Sequence, residues 1–152
     1  MKHPTGSITN TTTGNTLATR ILLADTYAAR LQGLQFRVPL TTAEALLLIP
    51  GSSIHSLFVR APFDAIFLDR AARVLATTPD IRPWRFRIPA PRHTHAVLET
   101  APGISATLTP GDRLALVGCA AKPRKSLSFL LTETDPAPRT ARDPKHARRE
   151  TE

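Results

Sequence analysis

Short strands broken by proline, with one or two short helices among them, predict a mainly β chain folded as a single-domain sandwich or barrel-like structure. Three observations carry this. Fourteen prolines against seven glycines in 152 residues stop helices before they lengthen. Apolar residues recur with period two, or in short runs between turn signals. No repeated strand–helix–strand alternation occurs, which argues against a doubly wound parallel sheet. The length allows one genuine core and not two ordinary ones.

Residues 1–15, mostly Thr, Asn, Gly and Ser, favour local side-chain to backbone bonds and are expected to form a flexible leader. LATRILL (Leu17–Leu23) alternates as a first strand ended by Asp25, which then serves as the N-cap of a two-turn helix stopped by Gly33 and lying as a lid on the sheet. EALLLIPG (Glu44–Gly51) is a continuous apolar run, expected as a strand buried on both faces. IHSLFV and AIFL then read as two central strands bent at Ala61-Pro62, where proline withholds a ladder donor. Val74–Thr77 returns as a strand, and an irregular, proline-marked excursion runs around Trp84. HAVLET (His95–Thr100) is another strand, Ile104–Leu108 a helical turn, and RLALV (Arg113–Val117) the last strand. The β domain is thus expected over 16–118. A peripheral segment follows over 119–134, with Leu127–Leu131 as an edge strand or short helix. The charged, Pro-rich tail at 135–152 is expected to be disordered.

Twenty Lys and Arg oppose twelve Asp and Glu, a balance that invites a nucleic-acid reading. The excess is spread along the chain, +5 up to Val117 and +3 beyond, so no basic face is marked out and nucleic acid is disfavoured as a partner. One cysteine, Cys119, excludes an intramolecular disulfide and a multi-cysteine zinc site. No apolar run reaches 18 residues and the N-terminus has no apolar h-region, so a cytoplasmic, monomeric protein without a membrane span is expected.

Ser53–Asp69 concentrates one His, one Arg and two Asp in the most strand-like stretch of the chain. His55 shares strand parity with Leu57 and Val59, and reads first as a buried, hydrogen-bonded residue and second as a general base. Asp64, between apolar neighbours, needs a partner if buried. Arg60 is the nearest candidate and backbone amides are the alternative. Asp69 ends the strand as a turn residue. Trp84, between Arg82 and Arg85, is either a stacking platform with guanidiniums for an anion or a plug at one end of the fold, and the plug is preferred. His93 and His95 share a face and permit a two-His site with His55 or a carboxylate, with His3 in the leader as a further candidate. No metal or cofactor is assigned, since paired-cysteine, HExxH, phosphate-loop and nucleophile-elbow motifs are missing.

SSIHSLFVRAPFDAIFLD (Ser52–Asp69), RPWR (Arg82–Arg85), AVLE (Ala96–Glu99) and PGDRL (Pro110–Leu114), in that order, resemble the bacterial and archaeal family called domain of unknown function 192 over about residues 17–117. GLQFR at Gly33–Arg37 is similar to that family's Gly-Leu followed by Arg. Gly51 stands where relatives often have Cys, Val59 where Met is usual, and Arg70–Arg73 lacks the Gly common in that turn. The resemblance implies a mainly β, sandwich-like domain and no established activity. The residues favour a non-enzymatic binding or accessory domain, contacting a protein or small-molecule partner through Trp84, Arg82 and Arg85. The alternative is a small metal-assisted or hydrolase-like enzyme using His55 with Asp64 or Asp69 and Arg60 or Arg82 for an anion.

Overall fold

On a strand, neighbouring side chains point to opposite sides, and here that alternation sorts the apolar residues into two core layers. The structure is a computed structural model and describes residues 5–118 and 124–131. His3, Cys119 and the expected tail lie outside the described residues. The described residues form seven strands: β1 (Thr5–Asn10), β2 (Thr16–Ala24), β3 (Glu44–Leu48), β4 (Phe63–Leu68), β5 (Val74–Ile81), β6 (Ala96–Thr100) and β7 (Leu114–Val117). One α-helix, α1 (Tyr27–Gln32), follows β2, and two 3-10 turns occupy Ile104–Thr107 and Lys125–Leu130. Among the described residues no helix is long and apolar enough to cross a membrane.

The strands form one sheet in the order β5-β4-β6-β3-β2-β1-β7. Strands β2 and β3 pair in parallel, because α1 and its following loop carry the chain back to the starting end of the sheet. The other neighbouring strands named above pair antiparallel, and Leu116 of β7 makes an isolated parallel bridge with Leu131. Just before β5 and β7, Arg73 and Arg113 form an isolated bridge, and Val74 N–H donates to the Asp112 carbonyl at 2.8 Å. The sheet therefore curls until its two edges touch at one end, which is barrel-like without closure.

Ile21, Leu23, Ala45, Leu47, Ile66, Leu68 and Leu98 fill the layer inside the curl, completed by Leu127 and Leu130. Leu22, Leu46, Leu48, Ala65, Phe67 and Val97 form the outer layer, roofed by Leu34, Ile54, Val59 and Ile88 from the loops. Strands β3, β4 and β6 are consequently buried on both faces.

Several local expectations change. Thr5–Asn10, inside the stretch read as a leader, is a strand between β2 and β7, anchored by the buried Ile8. Its Asn10 amide donates to Asp112 at 2.9 Å. The N-cap of α1 is Thr26, whose hydroxyl accepts from Ala29 N–H at 3.2 Å, and not Asp25. Asp25 is taken instead by Arg124 and Ser126. Partial burial works against its charge, yet the Arg124 and Ser126 hydrogen bonds and the Arg124 charge hold its carboxyl below the ordinary range. Helix α1 itself buries no side chain, and it is Leu34, beyond the cap, that packs on the outer layer. IHSLFV is not a strand: it makes a single bridge, Ile54 to Ile88, before Phe58 turns the backbone at φ 58°. Leu127 and Leu130 lie in the stretch expected to be peripheral, yet both are buried in the core.

Asp64, fully buried at the start of β4, ties three segments together. One oxygen accepts from Asp80 N–H at 2.9 Å. The other accepts from Gly103 N–H at 2.9 Å, Ser105 N–H at 3.0 Å and the Ser105 hydroxyl at 2.7 Å. The expected clamp with Arg60 is not formed; Arg60 is exposed. The start of a 3-10 turn has spare amide donors, and Gly103, at φ 94°, makes the left-handed turn that brings two of them to one oxygen. Asp64→Ala leaves these donors without an acceptor and is predicted to cost about 3 kcal/mol or more in urea unfolding, whereas Arg60→Ala stays within about 0.5 kcal/mol. A loss under about 1 kcal/mol for Asp64→Ala would contradict this role.

Candidate functional site

Glu99 has the parity of Val97 and so belongs to the outer layer, between Leu46 of β3 and Ala65 of β4 in the pairing register. It is 3% exposed, and its Oε2 is buried with no hydrogen-bond partner. Burial, with no ion pair to offset it, pushes the carboxyl up to about 8, so the side chain is mainly a neutral acid at neutral pH.

Above Glu99 lies a cavity of about 120 Å³, roofed by α1 with residues 33–35 and by the loop 50–55. His55 is on its wall, with Nδ1 buried and without a partner and Nε2 3.5 Å from Gln35 Nε2. Gln35 Nε2 also donates to the Leu31 carbonyl at 2.6 Å. Arg30 reaches in from α1, its Nη1 donating to the Ile49 carbonyl at 3.1 Å. Gln32 and Ser53, both exposed, complete the polar lining together with Ser52.

The loop lies this close to β6 because Gly51 has no side chain. A Cβ there would stand 2.6 Å from Val97 N, and the Gly51 N–H donates to the His95 carbonyl at 2.7 Å. Any side chain at this place would need the two backbones to part.

Beside the cavity stands an exposed aromatic shelf. Phe36 stacks on Phe58 at 5.1 Å, and Phe58 meets Trp84 edge-on at 5.0 Å. All three hold positive φ, at 58°, 58° and 68°, a strained conformation for bulky residues that costs on the order of 1–3 kcal/mol each. Backbone bonds hold them there: Phe36 N–H to the Phe58 carbonyl at 3.0 Å and Trp84 N–H to the Ser56 carbonyl at 2.9 Å. The fully buried Ser56 is the fastening, its hydroxyl donating to the Arg82 carbonyl at 2.6 Å and accepting from Arg85 N–H at 2.8 Å.

The residues singled out from the sequence are thus dispersed. His55 lines the Glu99 cavity. Asp64 is saturated by the donors described above. Asp69 caps its own turn, accepting from Ala71 and Arg73 N–H at 2.8 and 2.9 Å. Neither carboxylate bonds to His55, and Arg60 reaches neither. Trp84 is 64% exposed and plugs nothing; the buried Ile88 does the packing expected of it. Arg82 and Arg85 are exposed beside it, Arg82 paired with Asp80 at 3.2 Å. His93 and His95 share a separate hollow with Asp69, and the His95 ring meets Phe129 edge-on. Among the described residues no three metal-ligating side chains cluster. Glu99, Arg30, Gln35 and Ser56 escaped the sequence reading. A signal for Glu99 existed: it is the one Asp or Glu in HAVLET, on the parity of the buried Val97.

The family model for domain of unknown function 192, Uncharacterized ACR, matches residues 8–116. The chain belongs to this family. Domain 192 relatives include UPF0127 proteins of Pyrococcus furiosus, 34% identical over 69% of this chain and 93% of the relative, and of Pyrococcus horikoshii, 31% identical over 62% and 84%. A Novosphingobium aromaticivorans protein of unknown function has a similar solved structure, with TM-score 0.60 and 28% identity over 71% of this chain and 81% of that one. A Sinorhizobium meliloti protein, 20% identical with TM-score 0.67 over 76% and 94%, shares the fold. The family is uncharacterised, so activity has to be argued from this chain's own geometry.

A carboxyl raised from 4.5 to about 8 by folding has a definite pH signature. The folded chain keeps a proton that the unfolded chain releases, so this contribution to stability is complete below about 4.5 and falls as pH rises through about 8. The slope approaches about 1.4 kcal/mol per pH unit. Glu99→Gln is predicted to remove it, so that the variant's stability relative to wild type grows with pH across that window and levels off above it. Urea unfolding across the window checks this; a pH-independent difference would contradict it.

Proposed function

We propose that the chain is a non-enzymatic binding domain whose ligand site is the Glu99 cavity, with the Phe36–Phe58–Trp84 shelf as an accessory contact surface. The observation that carries this is that two of the three unpartnered buried side-chain polar atoms among the described residues, Glu99 Oε2 and His55 Nδ1, belong to residues of one cavity wall, the third being Thr100 Oγ1. Such atoms cost about 1–3 kcal/mol each when unsatisfied, a burden a fold carries where a ligand meets them. Strain in the shelf supports the same reading, since strained residues concentrate at binding sites. Binding is favoured over catalysis because the carboxylates that would orient His55 are committed elsewhere: Asp64 to Asp80, Gly103 and Ser105, Asp69 to its own turn.

Amide chemical-shift mapping with a panel of small polar fragments tests this. Hits are expected to move the resonances of Gly51–His55 and Glu99 and to be recovered chemically unchanged; a hit recovered as a product would replace binding with catalysis. Trp84→Ala is predicted to change stability by less than about 1 kcal/mol, because the ring is mostly exposed, and to weaken those hits that carry an aromatic group. A larger loss of stability with hits unaffected would return Trp84 to a packing role.

A further inference from the structure

The cavity wall is rich in donors. Arg30 brings a guanidinium with five N–H donors, of which Nη1 is engaged by Ile49. Gln35 brings a side-chain amide, and His55 an imidazole whose Nδ1 has no partner. Glu99 supplies a carboxyl flanked by apolar Leu46 and Ala65. In its neutral form that carboxyl is itself an O–H donor. An ammonium ligand would meet the Arg30 charge and no ionised carboxylate. A carboxylate, by contrast, presents acceptor lone pairs to every one of these donors, and its charge is answered by Arg30 in a fork suited to it.

We propose that this cavity takes a carboxylate group, held by the Arg30 guanidinium, the Glu99 carboxyl and the His55 imidazole. This rests on the reading of the cavity as the ligand site and names its ligand class. The volume, about 120 Å³, is slightly below the roughly 150 Å³ of an engineered cavity that takes benzene. It fits a group the size of acetate, free or at the end of a larger molecule. A bound carboxylate and an ionised Glu99 repel each other, so the ligand binds with Glu99 protonated. Affinity then falls as pH rises through about 8, approaching about tenfold per unit above it. The charged and titratable groups on the wall are Arg30 from α1, His55 from the loop and Glu99 itself.

The test is amide chemical-shift titration of the full chain with acetate, acetamide and methylammonium, each across the pH range around 8. Acetate is expected to move Gly51–His55 and Glu99, to lose affinity at high pH, and to exceed the other two by tenfold or more. Arg30→Gln should weaken acetate at least tenfold. Glu99→Gln, which keeps a donor, should retain acetate within a few-fold while flattening the pH dependence; His55→Asn should leave that dependence in place. An N-acetyl dipeptide and its C-terminal amide separate the sources. Tighter binding of the free dipeptide than of acetate indicates a peptide end, and weaker binding indicates a small free acid. Equal binding of acetamide, or methylammonium binding that strengthens with pH, would overturn the carboxylate assignment and leave the cavity as a ligand site. No response to any probe would overturn both.

Discussion

Burial of β3, β4 and β6 on both faces governs what a polar residue on them can do. On a half-exposed strand a carboxylate turns to water; here it finds donors within the protein or stays unsatisfied. Adjacent strands show both outcomes. Asp64 on β4 accepts four hydrogen bonds and fastens β5 and the turn after β6 to the sheet. Glu99, on β6, lies on the other layer, and its Oε2 has none. Desolvation without compensation favours the protonated form, so the two carboxyls, one residue apart in the β4–β6 register, have different chemical characters. One is a structural acceptor and the other an acid held in reserve beside a cavity.

Backbone devices at the loops hold the cavity in place. Gly51 allows the 50–55 loop to lie against Val97, which no residue with a Cβ does without moving one backbone or the other. Ser56, bonded through its hydroxyl to Arg82 and Arg85, clamps the proline-marked excursion onto the stretch that carries His55. The three aromatics of the shelf are held in left-handed conformations by that same clamp and its neighbouring backbone bonds. The rigid shelf and the cavity are therefore parts of one construction, in which residues 33–36, 50–58 and 82–88 fix each other over the outer core layer.

Much of the fold was legible because it follows from period-two patterning and turn chemistry. EALLLIPG, HAVLET and RLALV became β3, β6 and β7, and Gly33 closed α1 as its composition suggests. Strand β1 was hidden because Thr, Asn and Ser dominate it and one buried Ile8 does the anchoring. IHSLFV looks like a strand by composition, but Ser56 takes the backbone groups of the Trp84 excursion and Phe58 leaves the extended region, neither of which residue type announces. Less of the site was legible. His55 was found because a histidine among apolar residues is conspicuous, whereas Glu99 passed as part of a family signature. Arg30 and Gln35 come to the cavity through the placement of α1 and of the chain that follows it, which spacing does not encode.

Glu99 is a neutral acid at neutral pH because it is buried without a counter-charge. The most direct measurement is the side-chain carboxyl carbon resonance of Glu99 followed by NMR through a pH titration of the ligand-free protein. Burial without compensation predicts a carboxyl that remains protonated through neutral pH and titrates near 8. A midpoint at the ordinary value of about 4.5 would contradict it, and with it the picture of a donor-rich cavity.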